Sequence, residues 1–510
     1  MSSRPPIREG MPPEHLAAMS HEFRTPLNGV LGMARLLEGT ALTEEQQAYV
    51  QALIQSGEHL LGLVNDVLDY AKLGADRAML HVAPVDIEET VRSVAELLSP
   101  RAHEKNIEIG WSAPADLAPV LADETRLKQI LLNLAGNAIK FTERGGVLIT
   151  AEKTGVRRIR LTVSDTGPGV PLDARERIFE AFAHADPEHG ARMGGAGLGL
   201  AIARRLAQAM GGEVGVGGSP GSGADFWFEA SFPEAAPSHG IQDLSGRTVG
   251  VASPSAIVRE AARGQIEASG GKAVSAGTLE DLISRAPASA VLLVDHALAG
   301  EGRVSLPEDR AAIILVRPEE RGHVSAYREA GAAGYLIKPL RRASLAARVL
   351  AAESGDAPAE TGHDERISPK AAPAPVRPGA RVLLAEDNPI NAMLARTLLV
   401  REGCTVEHVT GGEAALEALI AQPFDLVLMD VRMPGMSGLD ATRALRARGV
   451  TTPVVALTAN AFEDDRRICL AAGMDDFLVK PLSADALRAA LSRWTGPGWT
   501  DSVKRANLAG

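Results

Sequence analysis

One βα pattern occurs twice in the C-terminal half of this chain, and no other feature of the sequence constrains the fold as strongly. In each copy an apolar strand ends on an aspartate, which is Asp295 in VLLVD and Asp430 in LVLMD. A later strand in each copy ends on a Lys-Pro pair, at Lys338 and at Lys480. Strands that alternate with helices predict a doubly wound α/β fold with a parallel sheet, whose ligand sites collect at the carboxyl ends of the strands.

The second copy contains a cluster of acidic residues. Its first strand, RVLLA, is followed by Glu386 and Asp387, and the fold brings this strand end close to Asp430. Clustered carboxylates favour a divalent cation, and the cation lets a carboxylate attack a phosphoryl group in spite of the like charge. Thr458 ends a further strand, and with Lys480 it completes the group. We expect a cation site here rather than a purely structural acidic cluster.

The first copy lacks these acids. Aligned on its predicted strands, it has Ala252 and Ser253 where the second copy has its two neighbouring acids, and Arg317 where the second copy has its threonine. Asp295 and Lys338 remain, but without a cation site we do not expect Asp295 to be phosphorylated. We expect it to form a structural ion pair with Lys338 and Arg317 instead.

An excess of arginine also distinguishes the first copy. The residues expected near its strand ends and the following helices are Arg317, Arg321, Tyr335, Arg341 and Arg342. Guanidinium groups bind phosphates and guanine edges and stack on bases, so this cluster suits an anionic nucleotide. Two alternatives stay open: the domain is only a spacer, or Asp364 and Glu365 of the following linker bind the arginines.

Two amphipathic helices are predicted near the N-terminus, because apolar residues recur every three or four positions over 14–37 and again over 53–67. One hairpin buries too little surface to fold alone, so we expect two chains to form a four-helix bundle and hence a homodimer. The first helix carries His21 beside Glu22, a pairing in which the carboxylate can orient a nucleophilic imidazole and take its proton. An ordinary surface pair is the alternative interpretation of these two residues.

A helix predicted over 124–140 carries polar residues that suit a nucleotide. Asn133, Asn137 and Lys140 fall on one face of this helix. Two amide oxygens and an ammonium on one face can hold Mg²⁺ and a chain of phosphates. Alone, the same stripe would be interpreted as a solvated helix face.

Two glycine-containing motifs follow this helix in an α+β segment. Asp165-Thr-Gly-Pro-Gly places a carboxylate at a turn where Gly167 and Gly169 let a flat ring approach the backbone, which suits an adenine amino group. A later glycine run opens a helix whose free N–H groups favour phosphate. The members of this run expected to contact phosphate are Gly195, Gly197, Leu198 and Gly199. The polar stretch 184–192 between the two motifs is predicted to be a lid, with Phe179 and Phe182 beside it.

Length and composition limit the remaining choices. The 510 residues exceed what a single core organises. The predicted segments are a tail (1–13), helices (14–75), an α+β domain (76–234), a linker (235–245), the first α/β copy (246–352), a linker (353–379), the second copy (380–495) and a tail (496–510). A net charge of −11 argues against direct nucleic-acid binding. With neither a membrane-length apolar run nor a signal sequence, we expect a cytoplasmic protein without membrane contact.

The order of the motifs, from His21 through the asparagine helix and the Asp165 turn to the glycine run, resembles the histidine kinases of two-component signalling. Their ATP-binding domain shares its fold with Hsp90-type chaperones and MutL-type ATPases, and the resemblance covers nearly the whole chain. It implies that ATP binds with Mg²⁺ on Asn137, phosphate on Lys140 and adenine on Asp165. Related ATPases carry a glutamate at the position of Asn133, and an amide cannot act as that base. Transfer to His21 is therefore expected rather than hydrolysis.

The second βα copy resembles a receiver domain of the same signalling systems. The resemblance implies that Asp430 accepts a phosphoryl group and that Glu386 and Asp387 hold Mg²⁺ together with it. Thr458 and Lys480 would contact the phosphoryl oxygens.

The expected function is therefore that of a hybrid histidine kinase, which phosphorylates His21 from ATP, transfers the group to Asp430, and passes it to a separate histidine phosphotransfer protein and response regulator. Thr25, one turn beyond His21, is placed to position a water for the reverse, phosphatase reaction. Kinases of this kind respond to cyclic dinucleotides, so cyclic di-GMP is the first ligand to test on the first α/β copy, which is expected to control activity. The alternatives are a ligand-sensing scaffold, a member in which phosphatase activity dominates, and a chaperone-like ATPase, which Asn133 disfavours.

Overall fold

The computed structural model describes residues 26–35, 37–38, 40–75, 80–183, 197–235, 243–299, 302, 304–354, 377, 379–458, 463–480 and 482–495. These residues fall into two compact units. Those within Leu63–Asp364 form one unit, and those within Met19–Gly62 and Glu365–Gly510 form the other. Among the helices described, none has both the length and the hydropathy of a membrane span.

A helical hairpin begins the described chain. It consists of α1, described over 26–35 and 37–38, and the first part of α2 (Glu44–Ala75). A capping box starts α2: the Thr43 hydroxyl accepts from the N–H of Gln46 at 3.2 Å, and the Gln46 side chain accepts from the N–H of Thr43 at 3.0 Å. Leu31 of α1 is buried against Gly57 of α2, where a Cβ would come within 2.7 Å of its Cδ2. The glycine thus allows the two helices to approach closely.

The α+β domain occupies residues 80–235. Its elements are β1 (Ala83–Val85), α3 (Ile87–Glu104), β2 (Glu108–Ser112), β3 (Val120–Ala122), α4 (Glu124–Phe141), β4 (Gly146–Gly155), β5 (Arg158–Asp165), α5 (Gly199–Ala209), β6 (Glu213–Gly217) and β7 (Asp225–Ser231). The main sheet has the order β2-β4-β5-β7-β6, in which β2 is parallel to β4 and the other neighbours are antiparallel. Strand β2 therefore lies at an edge of this sheet.

Helix α4 owes its position to a cap and a buried apolar face. The carboxylate of Asp123 accepts a hydrogen bond from the N–H of Arg126 at 3.1 Å and so caps the helix. The apolar side chains that recur at helical spacing and are buried include Leu127, Ile130, Leu131, Leu134 and Ala138. Helices α3 and α5 pack beside α4. The polar side chains of α4 are therefore confined to the opposite face.

The first α/β domain occupies residues 243–354. Its elements are β8 (Thr248–Ala252), α6 (Ala256–Ala268), β9 (Lys272–Ala276), α7 (Leu279–Arg285), β10 (Val291–Asp295), β11 (Ala312–Val316), α8 (Val324–Glu329), β12 (Gly334–Ile337) and α9 (Arg342–Ser354). The sheet order is β9-β8-β10-β11-β12, and every neighbouring pair is parallel.

The second α/β domain occupies residues 377–495. Its elements are β13 (Arg381–Ala385), α10 (Pro389–Arg401), β14 (Thr405–Val409), α11 (Gly412–Ala421), β15 (Leu426–Asp430), α12 (Gly438–Ala447), β16 (Val454–Thr458), α13 (Glu463–Ala471), β17 (Asp476–Val479) and α14 (Ala484–Thr495). The order β14-β13-β15-β16-β17 repeats that of the first α/β domain, again with parallel pairs only. The prediction of two doubly wound domains is confirmed, and both aspartates end a central strand.

Candidate functional site

Two asparagines of α4 face the start of α5 in the α+β domain. A Cβ at Gly199, the first residue of α5, would lie 3.8 Å from Oδ1 of Asn133 and 3.9 Å from Nδ2 of Asn137. Nδ2 of Asn133 is buried and has no hydrogen-bond partner among the described residues. Burial lowers the pKa of Lys140, one turn further along the same helix. The predicted amides thus meet the predicted phosphate helix, whose first N–H groups favour an anion.

Asp165 ends β5 and is held by backbone N–H groups from two turns. Its Oδ1 accepts hydrogen bonds from the N–H of Gly167 at 2.8 Å and from the N–H of Ala224 at 3.3 Å. Burial raises the pKa of Asp165 above its ordinary value, and these two N–H groups act in the opposite direction. The two turns fix the carboxylate in a half-buried position. The contribution of Ala224 could not be found from the motif, because it lies 59 residues further along the chain.

The glycines of the Asp165 turn occupy crowded positions. A Cβ at Gly169, where φ is +73°, would come within 2.8 Å of the carbonyl oxygen of Gly223. A Cβ at Gly167 would lie 3.0 Å from Oδ1 of Asp165. Any side chain at these positions would disturb the turn that presents the carboxylate.

The two described segments that flank the predicted lid are hydrogen-bonded to each other. The N–H of Phe182 donates to the carbonyl oxygen of Gly197 at 3.1 Å, and Gly197 has a φ of +66°. Leu198 is buried, and so is Phe179. Gly195 and the lid stretch itself, 184–192, lie outside the described residues.

The second α/β domain gathers its predicted site residues at the carboxyl end of the sheet. Nζ of Lys480 lies 2.6 Å from Oδ2 of Asp430 and 2.5 Å from Oε2 of Glu386. Thr458, at the end of the neighbouring strand β16, is buried. Asp430 is further fixed by the N–H of Arg432, which donates to its Oδ1 at 3.1 Å.

Three carboxylates of this site could hold one divalent cation. One oxygen each from Glu386, Asp387 and Asp430 lies within 4.8 Å of the others. Burial and the nearby charge of Asp430 raise the pKa of Glu386, although Lys480 and a hydrogen bond from Asn391 act against the shift. A cation would relieve this repulsion, and an all-oxygen donor set suits Mg²⁺.

The strand register corrects our alignment of the two α/β domains by one residue. Val294, which precedes Asp295, pairs with Ala252, just as Met429, which precedes Asp430, pairs with Ala385. Ser253 therefore corresponds to Glu386, and Pro254 to Asp387; the alignment with Ala252 and Ser253 was wrong. The signal was present in the sequence, because the two apolar runs TVGVA and RVLLA both end on an alanine, Ala252 and Ala385.

The same correction applies to Arg317. Asp295 pairs with Leu315 and Asp430 with Leu457, so Val316, not Arg317, corresponds to Thr458. The first α/β domain thus lacks the threonine hydroxyl as well as both acids.

The pocket of Asp295 is filled by protein groups. Oδ2 of Asp295 accepts from the Ser253 hydroxyl at 2.6 Å, and its Oδ1 lies 3.0 Å from Nζ of Lys338. Lys338 also donates to Oε1 of Glu108, in the α+β domain, at 3.0 Å. Burial acts to raise the pKa of Glu108, but the charges of Lys338 and Arg317 outweigh it and leave the pKa below its ordinary value. The expected pair of Asp295 with Lys338 is present, whereas Arg317 binds Glu108.

Three arginines predicted to bind a ligand contact carboxylates of the α+β domain instead. These ion pairs are Arg317 with Glu108 at 2.7 Å, Arg341 with Glu96 at 2.7 Å and Arg342 with Glu88 at 2.5 Å. Two other members of the predicted cluster have different surroundings. The guanidinium groups of Arg328 and Arg348 lie 5.7 and 5.8 Å from the ring centre of Tyr335. Nε of Arg321 is buried without a hydrogen-bond partner in the described part of the chain. Three of the four arginines in the predicted cluster therefore form ion pairs between the first α/β domain and the α+β domain.

Sequence reasoning missed Glu108. It is the one charged residue of the largely buried strand EIGWS, and a buried acid requires a cationic partner. The sequence thus showed a charge in a buried strand, but it did not show which cations neutralise that charge. His21, Glu22 and Thr25 lie outside the described residues, as do Asp364 and Glu365.

Three family models match the chain. The His Kinase A (phospho-acceptor) domain matches residues 14–76, the histidine kinase-, DNA gyrase B- and HSP90-like ATPase matches 122–234, and the response regulator receiver domain matches 382–492. The matches follow the order of the predicted motifs. They confirm the resemblance on which the sequence interpretation rests.

Individual relatives agree with the family models. Sensor protein GacS of Pseudomonas syringae pv. syringae is 35% identical over 511 residues, which is 95% of this chain and 55% of that protein. Signal transduction histidine-protein kinase BarA of Escherichia coli (strain K12) is 32% identical over 503 residues, which is 94% of this chain and 53% of that protein. The chain thus spans about half the length of the curated relatives it matches.

One solved structure is similar along nearly the whole chain. The crystal structure of full-length ShkA in complex with AMPPNP shows 59% sequence identity and a TM-score of 0.66, and it covers 95% of this chain and 100% of that chain.

Proposed function

This chain belongs to the hybrid histidine kinases, and on that premise we propose that it transfers the γ-phosphoryl group of ATP to His21 and from there to Asp430. In the first step a ring nitrogen of His21 attacks the γ-phosphorus, the bond to the bridging oxygen breaks, ADP leaves, and Glu22 takes the imidazole proton. In the second step a carboxylate oxygen of Asp430 attacks the same phosphorus and the imidazole leaves. A separate histidine phosphotransfer protein and its response regulator then receive the group.

One observation carries the choice of a kinase over an ATPase. Asn133 faces the start of α5 with an amide, and an amide cannot take a proton from water. The AMPPNP complex of the similar ShkA structure supports ATP as the nucleotide. In this proposal Asn137 holds Mg²⁺, Lys140 contacts phosphate, and Asp165 accepts from the adenine amino group.

The second α/β domain is proposed as the acceptor of the phosphoryl group from His21. Its acids Glu386, Asp387 and Asp430 would hold Mg²⁺, which supplies the positive charge that lets the carboxylate attack. The hairpin that precedes it in the same unit is within reach of this domain. A Cβ at Gly32 of α1 would lie 3.1 Å from Cδ2 of Leu394 of α10.

A homodimer is the proposed assembly. Large apolar side chains of α1 and α2 remain exposed in the single chain, namely Val30, Met33, Leu37, Leu53, Leu60 and Val67. A second hairpin would cover them and complete a four-helix bundle. Thr25 would then position a water in the same bundle for the reverse reaction.

The first α/β domain is proposed to control activity through an anionic nucleotide, with cyclic di-GMP as the first to test. With three arginines engaged by carboxylates, the candidate contacts narrow to Arg321 and Tyr335, with Arg328 and Arg348 beside the ring. Titration of the full-length chain with cyclic di-GMP tests this, and we expect Arg321→Ala to weaken binding by at least tenfold, a loss of about 1.4 kcal/mol. Unchanged binding in Arg321→Ala would remove this site.

The kinase proposal is tested with γ-labelled ATP and the full-length chain. In a chain that carries Asp430→Asn, so that the group stays on the histidine, we expect acid-labile label. We expect none when His21→Gln is added, and full label when His239→Gln is added instead, a matched substitution in the segment between the α+β and first α/β domains. Label that survives in His21→Gln would refute the nucleophile. Wild-type chain that binds ATP and never acquires label would favour the ligand-sensing scaffold, and loss of label on preloaded chain would favour a phosphatase. Steady ATP turnover in His21→Gln would indicate a chaperone-like ATPase.

A further inference from the structure

The carboxylate of Glu108 lies in a pocket of a different domain. Glu108 is the first residue of the edge strand β2, and its side chain is 7% exposed. Its Oε1 accepts hydrogen bonds from Nη2 of Arg317 at 2.7 Å, from Nε of Arg317 at 3.0 Å and from Nζ of Lys338 at 3.0 Å. Two cations of the first α/β domain thus share one oxygen of the α+β domain.

This pocket corresponds to the acceptor site of the second α/β domain. Lys480 there bridges Asp430 and Glu386, two carboxylates of its own domain. Lys338 instead bridges Asp295 of its own domain and the carboxylate of another. The degenerate acceptor pocket has therefore become a receptor for a carboxylate.

The main chain of Glu108 is tied to the turn that carries Asp165. Its N–H donates to the carbonyl oxygen of Gly145 at 2.9 Å, and the next N–H along β4, that of Gly146, donates to Oγ1 of Thr166 at 3.0 Å. Thr166 follows Asp165 directly. The link is tightly packed, since a Cβ at Gly146 would be 2.1 Å from the carbonyl oxygen of Glu108, and a Cβ at Gly145 would be 2.2 Å from Oγ1 of Thr166. Because there is no free space around this link, a movement of Glu108 must displace Gly145, Gly146 or Thr166.

The residues before Glu108 reach the other half of the nucleotide site. Nζ of Lys105 donates to the carbonyl oxygens of Ile139 at 2.7 Å and Lys140 at 2.9 Å. These carbonyls end helix α4, which also carries Asn137. The stretch 105–108 therefore contacts the end of the helix that carries Asn137 directly, and it reaches the Asp165 turn through Gly145 and Gly146.

We propose that Glu108 is a positioning residue for nucleotide binding. Lys338 and Arg317 hold its carboxylate in place, and this contact couples the first α/β domain energetically to the nucleotide site. Glu108 itself does not touch the nucleotide. The inference rests on the ATP binding of the proposed function, and it does not depend on His21 or Asp430. By thermodynamic reciprocity, nucleotide binding must then tighten the Glu108 contact as much as the contact favours the nucleotide.

The first test measures AMPPNP affinity by calorimetry on the full-length chain. We expect Glu108→Gln and Arg317→Gln each to weaken binding by about five- to tenfold, the range of an ordinary coupling between sites. The double variant should bind no more weakly than Glu108→Gln alone, because that substitution already removes the ion pair with Arg317. Glu96→Gln is the matched control, since it removes an ion pair between the same two domains, with Arg341, and we expect it to change affinity by less than about twofold.

The second test separates positioning from mere support of the fold. Hydrogen exchange is followed in the segment Pro318–His323, next to Arg317, with and without AMPPNP. We expect the nucleotide to slow exchange there in the wild type and in Glu96→Gln, but not in Glu108→Gln. A purely structural role would speed exchange in both nucleotide states and leave the effect of AMPPNP intact.

Wild-type AMPPNP affinity in a folded Glu108→Gln chain would overturn the proposal. If Glu108→Gln fails to fold, the AMPPNP affinity of Arg317→Gln tests the proposal instead. This variant keeps the hydrogen bond from Lys338 to Glu108, so Glu108 is not left without a cationic partner. Since the readout is binding alone, a chain that binds AMPPNP normally but never labels His21 would contradict the kinase proposal and leave this one standing.

Discussion

The two α/β domains carry the same lysine and aspartate at corresponding strand ends, but the charges around these pairs are balanced differently. In the second domain one cation, Lys480, lies against a group of three carboxylates, Glu386, Asp387 and Asp430. The local sum is two negative charges in excess. A divalent cation carries the charge that would neutralise them.

In the pocket of the first α/β domain, the four groups joined by ion pairs balance in charge. Lys338 and Arg317 provide two positive charges, and Asp295 and Glu108 provide two negative charges. One of these four groups comes from a different domain. In the first domain Ser253 and Pro254 stand where the second has Glu386 and Asp387, and an acid of a neighbouring domain pairs with the two cations.

The pKa shifts of two glutamates follow the same contrast. The pKa of Glu386 is raised, because burial and Asp430 outweigh the single Lys480. The pKa of Glu108 is lowered, because Lys338 and Arg317 outweigh burial. One pocket is therefore short of positive charge, and the other is not.

The largest expected effect is a difference in stability between variants of the two lysines, Lys338 and Lys480. Lys338→Met leaves Asp295 and Glu108 with too little positive charge in a buried site, and breaking such a pair costs about 3–5 kcal/mol. We expect amide exchange in β10 to accelerate by at least about 100-fold, measured by mass spectrometry on the full-length chain. Lys480→Met is the matched variant, in which excess Mg²⁺ should restore most of the lost protection against amide exchange in β15. If the two variants lost protection equally without recovery by Mg²⁺, or if Mg²⁺ restored protection in Lys338→Met, the proposed difference between the two domains would be wrong.

Magnesium should stabilise one α/β domain and not the other. At 100 times its dissociation constant, a cation bound only by the folded state contributes about 2.7 kcal/mol. We expect slower exchange in β15 and no change in β10 when Mg²⁺ is added without nucleotide. Asp387→Asn should reduce the effect, whereas Asp440→Asn, an exposed acid outside the cluster, should not. Stabilisation of β10 by Mg²⁺ would show a cation site that the balanced charges do not predict.

The smallest effect is a difference in pH dependence. Because the pKa of Glu108 in the folded chain is below its ordinary value of 4.5, its ionised form stabilises the interface above that value, and this stability is lost as pH falls through the folded pKa. Thermal unfolding of the unit that contains Glu108 should therefore lose stability below pH 4.5 more steeply in the wild type than in Glu108→Gln. Identical acid profiles would show that Glu108 is not ionised in the pocket.

Glu386 should behave in the opposite sense. Its pKa is raised, so protonation favours the folded state, and the contribution is complete below its ordinary value of 4.5 and lost as pH rises through the folded pKa. Without Mg²⁺, Glu386→Gln should remove this loss from the unfolding profile of the second α/β domain. A profile that Glu386→Gln leaves unchanged would contradict the raised pKa.

Much of the fold follows from local patterns in the sequence. The repeat of strands that end on Asp295 and Asp430 identifies two parallel sheets, because strand, helix and strand alternate at short intervals. The face of α4 with Asn133 and Asn137 also follows from spacing alone. These features depend on residues close together in the chain.

The features that the sequence did not reveal depend on contacts between distant segments. The pairing of β8 with β10 shows that the alignment that put Ala252 opposite an acid was one residue out. Arg317 looked like a ligand residue because its partner, Glu108, lies 209 positions away in another domain. A charge on a strand can be recognised in a sequence, but the group that neutralises it cannot.

The most direct test of the contrast between the two α/β domains asks which aspartate carries phosphate. The full-length chain is incubated with ATP and Mg²⁺, acyl phosphates are trapped by borohydride reduction, and the modified peptide is identified by mass spectrometry. We predict trapping at Asp430 in the wild type and in Asp295→Asn, and none in Asp430→Asn. Trapping at Asp295 would contradict the account.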